Sequence, residues 1–162
     1  METIEIKGKN LTLRSMNLKE MRALWRKYSP AEGSGEKPYV YDEEAVDKRF
    51  EKLEELAEWN PTLGIFTKND EIVGEITLCR IVFSEQRCDL FIILANDSYR
   101  GKGIGTEAIM MAKGYAKEKL GLKRIYSEVP EANIAMQTAL KKCGFQHTRT
   151  LKGGIMVFFC QI

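Results

Sequence analysis

Three alternate glycines stand at the junction between an apolar segment, residues 90–95, and a helical pattern that begins at Ile104. The junction reads Tyr99-Arg100-Gly101-Lys102-Gly103-Ile104-Gly105-Thr106, which predicts a strand, a glycine loop and a helix in that order. Glycine lets the main chain approach a ligand closely, and the first N–H groups of a helix have no partner within it. Since the helix dipole also favours negative charge at that end, the junction predicts a site for a phosphate-bearing ligand.

Two common phosphate-binding loops do not fit this spacing. A dinucleotide fingerprint requires Gly-x-Gly-x-x-Gly, but Thr106 stands where the third glycine would be, and the loop falls about two-thirds of the way along the chain. The loop of nucleoside triphosphatases requires Gly-x-x-x-x-Gly-Lys-(Ser/Thr), which the sequence does not contain. A glycine-rich turn without a ligand is the alternative, although three glycines would then cost backbone entropy without a structural return.

Composition predicts one soluble globular domain over residues 1–162. The chain has 44% hydrophobic and 30% charged residues, and its net charge of +2 gives no reason to expect nucleic acid as a partner. Apolar runs are too short to span a membrane and the N-terminus lacks signal-peptide character, so we expect no membrane association. The four cysteines form no Cys-x-x-Cys pair, which favours reduced thiols in the cytoplasm. One histidine and no Cys/His cluster predict no metal site.

The elements predicted along the chain follow the order β-α-α-β-β-β-α-β-α-β-β. This order predicts an α/β (α+β) fold with one mixed sheet of six to seven strands and helices on both faces. Asn17 and Glu20 form a capping-box pattern at the start of the first helix. The other predicted segments are an opening strand or hairpin at 4–6 and 11–14, strands at 63–67, 72–82, 87–95, 124–129, 145–150 and 155–162, and helices at 42–58, 103–120 and 133–142.

The glycine loop resembles the acetyl-CoA-binding motif of the GNAT superfamily of N-acetyltransferases, (Gln/Arg)-x-x-Gly-x-(Gly/Ala). The matching run here is Arg100-Gly101-Lys102-Gly103-Ile104-Gly105. Asn133, followed by Gly144-Phe145, is similar to a second segment of the family, in which an asparagine precedes a short helix that ends in Gly-Phe. The run Leu11-Thr12-Leu13-Arg14 and the helix behind it resemble the opening of the branch of ribosomal-protein alanine acetyltransferases. The predicted element order agrees with the family over essentially the full chain.

The resemblance implies a GNAT-like fold in which two strands splay apart and hold the pantetheine arm of acetyl-CoA as a pseudo-strand. Main-chain N–H groups of the loop would hold the pyrophosphate, and Arg100 and Lys102 would add charge. Asn133 would bond the pantetheine arm, although it also reads as the N-cap of its own helix. The implied cofactor contacts are Ile93, Leu94, Ala95, Arg100, Gly101, Lys102, Gly103, Ile104, Gly105, Thr106 and Asn133.

Acetyl transfer to an amine calls for a base, because the amine must lose a proton before it attacks. Glu128 is the first candidate: it is predicted on the strand after the cofactor helix, at the position of a catalytic glutamate in some members of the family. Glu75, on a predicted central strand, is the second candidate, and Asp89 is the third. For Glu128 the competing interpretation is a hydrogen bond to a neighbouring strand or a salt bridge to Lys123 or Arg124, and for Asp89 it is a solvated carboxylate at a strand end.

The leaving thiolate has no evident proton donor in the sequence. The family often places a tyrosine seven residues after the asparagine, and Leu140 stands there in this chain. The thiolate either leaves unprotonated, which the modest pKa of a thiol permits, or takes its proton from another group. The other groups considered are Tyr126, Ser127, Cys143 and water.

Two hypotheses of function follow from the sequence. The first is an acetyl-CoA-dependent N-acetyltransferase that acts on a primary amine of a small molecule or a protein N-terminus, with a homodimer as the candidate assembly. The second is a non-catalytic acyl-CoA-binding sensor or interaction module on the same scaffold. The acidic segment 42–58 would attract a cationic amine, but a solvated charged face is the commoner meaning of such a pattern. Five aromatic residues around a breaker-rich loop at 29–38 form a lid or close the core: Trp25, Tyr28, Tyr39, Tyr41 and Trp59.

Overall fold

One mixed sheet of eight strands runs through the protein and carries helices on both faces. The computed structural model describes residues 3–162. The spatial order of the strands is β1-β2-β3-β4-β5-β6-β8-β7, and all neighbours are antiparallel except β5 and β6, which are parallel. The strands are β1 (Glu5–Lys7), β2 (Leu11–Arg14), β3 (Thr62–Thr67), β4 (Ile72–Val82), β5 (Arg87–Leu94), β6 (Arg124–Pro130), β7 (Gln146–Leu151) and β8 (Ile155–Gln161).

Polar side chains fix the starts of three of the four helices. The predicted capping box before the first helix is confirmed: Asn17 Oδ1 accepts the N–H of Glu20 at 2.8 Å, and Glu20 Oε1 accepts the N–H of Asn17 at 3.0 Å. Such a cap stabilises a helix by about 1 kcal/mol. The helices are α1 (Leu18–Arg26), α2 (Glu43–Glu55), α3 (Ile104–Glu118) and α4 (Ile134–Lys142), and a 3-10 turn, Phe83–Glu85, joins β4 to β5.

The predicted mixed sheet with helices on both faces is confirmed, but it has eight strands instead of six to seven. The opening segment accounts for the difference, because β1 and β2 form a hairpin in which Ile6 lies opposite Leu13. The N–H of Gly8 closes its turn by donating to the main-chain oxygen of Leu11 at 2.8 Å. Since β2 also pairs with β3, both opening strands extend one edge of the sheet.

Alternation along the strands divides the core between the two faces of the sheet. On β3, Leu63 and Ile65 belong to the core that contains α3, while Phe66 packs with Leu24 of α1 on the opposite face. The buried residues of α3 are mostly small: Ala108, Ile109, Ala112 and Ala116. Small side chains let a helix lie close to a sheet, so this packing holds the first turn of α3 beside the end of β5.

The described chain contains four free cysteine thiols, of which Cys88, Cys143 and Cys160 are buried. Burial raises the pKa of Cys88 to about 12, so this thiol is not reactive at neutral pH. No helix within residues 3–162 has the length and apolar character needed to cross a membrane.

A buried ion pair joins α2 to the centre of the sheet. Glu75 of β4 is 5% exposed and forms two hydrogen bonds with the guanidinium of Arg49, one of them 3.2 Å from Nη1 to Oε2. The same guanidinium lies over the ring of Trp25, 5.0 Å from its centre. Removing one partner of such a pair leaves an uncompensated charge in the interior.

We therefore expect Arg49→Met to destabilise the fold through Glu75. The loss should be about 2 kcal/mol, below the ~3–5 of a fully buried pair, because the Arg49 side chain is 37% exposed. Urea denaturation measures it, with Arg22→Met as the matched control. Arg22 pairs with Asp47 at 2.6 Å near the surface, where water screens the charges and a much smaller loss is expected. Adding Glu75→Gln to Arg49→Met should recover part of the lost stability, because it removes the uncompensated charge. Equal losses in Arg49→Met and Arg22→Met would contradict the interpretation.

Candidate active site

β5 and β6 run side by side only over their first residues. Their parallel pairing ends where Asp89 lies opposite Tyr126, and both strands continue beyond that point. Ser127 lies where they separate, and its buried Oγ donates a hydrogen bond to the main-chain oxygen of Leu90 at 2.8 Å. Beyond it the strands diverge around a cleft of about 660 Å³ that residues 91–94 and 127–130 line on its two sides. The splayed strand pair implied by the family resemblance is therefore confirmed.

Main-chain groups of β5 face this cleft at alternate residues. The N–H of Ala95 donates to Val73 of β4 at 2.8 Å, and its oxygen accepts a hydrogen bond from the segment after α1. Because the main-chain groups of successive residues point to opposite sides of a strand, Ile92 and Leu94 direct theirs toward the cleft. Of the three implied strand contacts, Leu94 offers its main-chain N–H, since its oxygen accepts a hydrogen bond from Arg100; Ile93 lines the cleft, and Ala95 is bonded within the protein. The sequence prediction does not include Ile92, although the two-residue period of a strand puts the main-chain groups of Ile92 on the same side as those of Leu94.

The glycine loop presents a row of main-chain N–H groups that lack acceptors in the described chain. None of the N–H groups of residues 101–106 donates to another atom of residues 3–162, and the first helical bond runs from Glu107 to Gly103 at 3.0 Å. Gly101 and Gly103 have φ of +74° and +82°, a region that side chains disfavour. A Cβ at Gly101, Gly103 or Gly105 would meet nothing within 4 Å. Gly101 and Gly103 therefore allow a backbone conformation that other residues disfavour, and all three glycines leave the N–H groups of the loop open to a ligand.

Arg100 connects the loop to two other parts of the protein. Its Nη2 donates to the main-chain oxygens of Ser29 at 2.6 Å and Leu94 at 3.0 Å, and its Nη1 pairs with Asp97 at 2.7 Å. The guanidinium lines the cleft, but its hydrogen bonds are directed to protein oxygens. Any contact between Arg100 and a phosphate therefore competes with the bonds that hold the loop in place.

The remaining loop residues meet the cleft in different ways. Lys102 is exposed and Ile104 packs against the core, so neither side chain lines the cleft. Thr106 does line it, and its main-chain oxygen accepts a hydrogen bond from the thiol of Cys143 at 3.4 Å. Lys102 and Ile104 therefore offer only their main-chain N–H groups to a ligand in the cleft.

Residues 29–38, which we call the strap, bound the cleft with Ala31, Ser34 and Glu36. At Gly33, φ is +77° and a Cβ would lie 2.2 Å from the main-chain oxygen of Ala132, so the strap packs directly on the start of α4. Asn133 lines the cleft at this point, and its Oδ1 accepts the N–H of Met136 at 3.2 Å. Its prediction as a helix N-cap is confirmed.

An aromatic cluster holds the base of the strap. The hydroxyl of Tyr28 donates to Glu36 Oε2 at 2.5 Å, and both residues line the cleft. Burial raises the pKa of Tyr28, and the neighbouring carboxylate raises it further. The ring of Tyr28 lies 4.7 Å from that of Trp25 and 5.2 Å from that of Tyr39. Of the five aromatic residues predicted around this loop, these three form the cluster, and no ring contact within residues 3–162 joins the other two to it.

The three candidate bases have different surroundings. Glu128 lines the cleft with 36% of its side chain exposed, and its Oε2 is 3.7 Å from Arg80 Nη2. Asp89 is bound more tightly to the same guanidinium, with Oδ2 at 2.5 Å. Glu75 is buried in its ion pair with α2 and does not line the cleft. The structure thus brings Glu128 to the cleft, places Asp89 beside it through Arg80, and sets Glu75 apart.

The residue that occupies the position of the expected tyrosine acid is buried in the core. Leu140 is 0% exposed and packs under α3. Among the other groups considered as acids, Cys143 is buried with a raised pKa, and the ring of Tyr126 packs 5.1 Å from Phe159. Ser127 is the one of these three side chains that lines the cleft.

Comparison with known proteins identifies the family. Residues 10–146 match the model of the acetyltransferase (GNAT) domain, and the chain belongs to this family. It is similar to the protein named "Probable N-acetyltransferase YjcK" of Bacillus subtilis (strain 168), at 32% identity over 96 residues. That alignment covers 59% of this chain and 52% of the relative, so the chain matches about half the length of that protein.

Solved structures share the fold at low sequence identity. Spermidine N-acetyltransferase from Vibrio cholerae, in complex with CoA and spermine, has a TM-score of 0.78 at 18% identity, covering 95% of this chain and 96% of that one. The ribosomal L7/L12 alpha-N-protein acetyltransferase RimL has a TM-score of 0.81 at 16% identity, covering 100% and 96%. RimJ of Mycobacterium smegmatis, in complex with CoA-disulfide, has a TM-score of 0.81 at 18% identity, covering 98% and 86%.

Gly103→Val tests the role of the loop. A β-branched residue at φ +82° is strained and displaces the first N–H groups of α3, so we expect CoA affinity to fall by roughly tenfold or more, an effect of about 1.4 kcal/mol or larger. Isothermal titration with CoA measures it. Gly153→Val is the matched control, since Gly153 has φ +93° and equally open space in the turn between β7 and β8. Equal CoA affinities of the two variants would refute the assignment.

Proposed function

We propose that this protein is an acetyl-CoA-dependent N-acetyltransferase that moves the acetyl group to a primary amine of a small molecule or a protein N-terminus by direct attack. One observation carries the proposal: a single cleft joins the unpaired N–H groups of residues 101–106, the open edges of β5 and β6, and the carboxylate of Glu128. Membership of the family supports the reaction class, and the CoA complexes of two structural neighbours support the cofactor.

The residues present fit the shape and charge of CoA. The N–H groups of residues 101–106 suit a pyrophosphate at the positive end of α3. The main-chain groups of Ile92 and the N–H of Leu94 would face an extended ligand, as a strand faces its neighbour. Asn133 stands at the other wall of the cleft, where it would meet the pantetheine arm. Bound acetyl-CoA supplies the activated thioester.

Glu128 is the residue we assign as the base. It removes a proton from the acceptor ammonium, directly or through a water, and so provides the neutral amine that attacks. The N–H groups of β5 that face the cleft offer hydrogen-bond donors to the oxygen on which negative charge develops. Glu75 was the second candidate from the sequence; its bidentate bond to Arg49 supports a structural role instead.

The proposal also covers the class of acceptor amine, the cellular compartment and the oligomeric state. One structural neighbour acts on spermidine and another on a ribosomal protein, which supports a small-molecule amine and a protein N-terminus as the two acceptor classes. Four free thiols favour a reducing compartment, in keeping with the cytoplasm. The ribosomal-protein branch remains our assignment within the family, and a homodimer remains a proposal that sedimentation would test.

Thiol release in the presence of acetyl-CoA and a panel of primary amines tests the function directly. We expect at least one acceptor class, polyamines or ribosomal N-terminal peptides among them, to release CoA thiol well above the rate of acetyl-CoA hydrolysis. The expected product is the amide, identified by mass. Tight CoA binding without thiol release for any amine of the panel would support the non-catalytic sensor instead.

Glu128→Gln tests the assignment of the base. We expect kcat/KM to fall on the order of 100-fold and to lose the acid limb of its pH profile, because no carboxylate then takes up the proton. CoA affinity should stay close to that of the wild type, since Glu128 is not among the phosphate-binding residues. Glu75→Gln is the comparison, and it should retain the acid limb. If Glu75→Gln removed that limb and Glu128→Gln did not, the two assignments would be reversed.

A further inference from the structure

Arg80 has an unusual backbone conformation for a strand residue. Its φ is +49°, in the left-handed region, and it lies where the pairing of β4 with β5 shifts register between Cys79 and Val82. Asn60, which follows α2, accepts the N–H of Arg80 at 3.1 Å and supports this conformation. Strain of this kind persists where the surroundings fix it, and it is concentrated at functional sites.

The register shift decides which face of the sheet Arg80 meets. Side chains alternate along a regular strand, so Arg80 would point away from the face of its neighbour Cys79. Instead its guanidinium reaches Asp89, which lies directly opposite Cys79 on β5, and sits 5.6 Å from the ring centre of Phe91. A cation is thereby placed on the face where Phe91 and Glu128 line the cleft.

Two carboxylates share this guanidinium unequally. Asp89 is 2.5 Å from Arg80, with 18% of its side chain exposed, whereas Glu128 is 3.7 Å away and twice as exposed at 36%. Burial raises the pKa of Asp89; Arg80 opposes this rise, and the charge of Glu128 adds to it. The tight pair therefore anchors the cation, and the long contact leaves Glu128 facing the cleft.

Few other charges lie around Glu128. On β8 its partner across the ladder is Val157, which is neutral. Other titratable or charged groups on the elements around it include Cys79 on β4, Arg87 on β5, Arg124 and Tyr126 on β6, Cys160 on β8, Glu36 on the strap, and Lys141 and Lys142 on α4. No ion pair or side-chain hydrogen bond among residues 3–162 joins any of them to Glu128, so Arg80 is its nearest opposite charge.

We propose that Arg80 is a positioning residue for Glu128: anchored on Asp89, it holds the carboxylate at the wall of the cleft without closing onto it. This inference rests on the proposed function, in which Glu128 is the base. Asp89 acts through Arg80: it keeps the guanidinium from forming a tight pair with Glu128, which would take the base out of the cleft. The register shift in β4 is what makes this three-residue arrangement possible.

Double-variant kinetics test the proposal. We expect Arg80→Gln to lower kcat on the order of tenfold with CoA affinity unchanged, and to cost nothing further in a Glu128→Gln background, because Arg80 acts through that carboxylate. Asp89→Asn should lower kcat as well, since the freed guanidinium then closes onto Glu128. Arg80→Lys should keep most of the wild-type kcat. Arg124→Gln, on the same strand as Glu128 and about 13 Å along it, removes the same charge and should leave kcat close to that of the wild type.

The outcomes separate the inference from the function on which it rests. A loss of kcat in Arg80→Gln that disappears in the Glu128→Gln background supports the proposal, because a merely structural role would lower activity in both backgrounds. Unchanged kcat in Arg80→Gln, an equal further loss in the Glu128→Gln background, or an equal loss in Arg124→Gln would overturn it. If Glu128→Gln alone left kcat/KM at the wild-type value, the assignment of the base would fail, whatever Arg80→Gln did.

Discussion

The separation of β5 from β6 is the constraint on which the rest of the site depends. A parallel pair that continued beyond Asp89 and Tyr126 would satisfy both strand edges and leave no room between them. Ser127 ends the pairing while keeping the last acceptor satisfied, since its hydroxyl takes the place of a main-chain donor to Leu90. The main-chain groups beyond that point then face a cleft. A ligand with the hydrogen-bonding pattern of a strand is what such edges are suited to bind.

Like the strand edges, the glycine loop at the start of α3 leaves main-chain groups without partners in the described chain. A row of N–H groups without acceptors is costly in a dry interior, but residues 101–106 face open space, where water or an anion can satisfy them. The small residues that pack α3 against the sheet keep this turn beside the end of β5. Arg100 adds a second restraint, because it bonds both the end of β5 and the base of the strap. The end of β5 and the strap are thus held by a shared residue.

Local signals in the sequence predict much of this arrangement. Asn17 and Asn133 cap the helices they precede, and the glycine loop lies between strand and helix as its pattern indicates. What the sequence does not reveal depends on contacts between distant segments. The bond between Arg49 and Glu75 joins residues 26 positions apart, and the face that Arg80 meets depends on a register shift in the β4–β5 pairing. An alternating pattern cannot indicate where one extra residue reverses it.

The same kind of side chain takes two roles here because of how its partner is held. Glu75 and Glu128 are both strand glutamates with an arginine nearby, and a sequence gives no reason to separate them. Glu75 is 5% exposed with two hydrogen bonds to Arg49, so using it as a base would break a buried pair and leave a charge without compensation. Glu128 is 36% exposed, and its arginine lies 3.7 Å away, bound more closely to Asp89. An arriving ammonium can approach that carboxylate without displacing a tight partner, which is why we propose Glu128 and not Glu75 as the base.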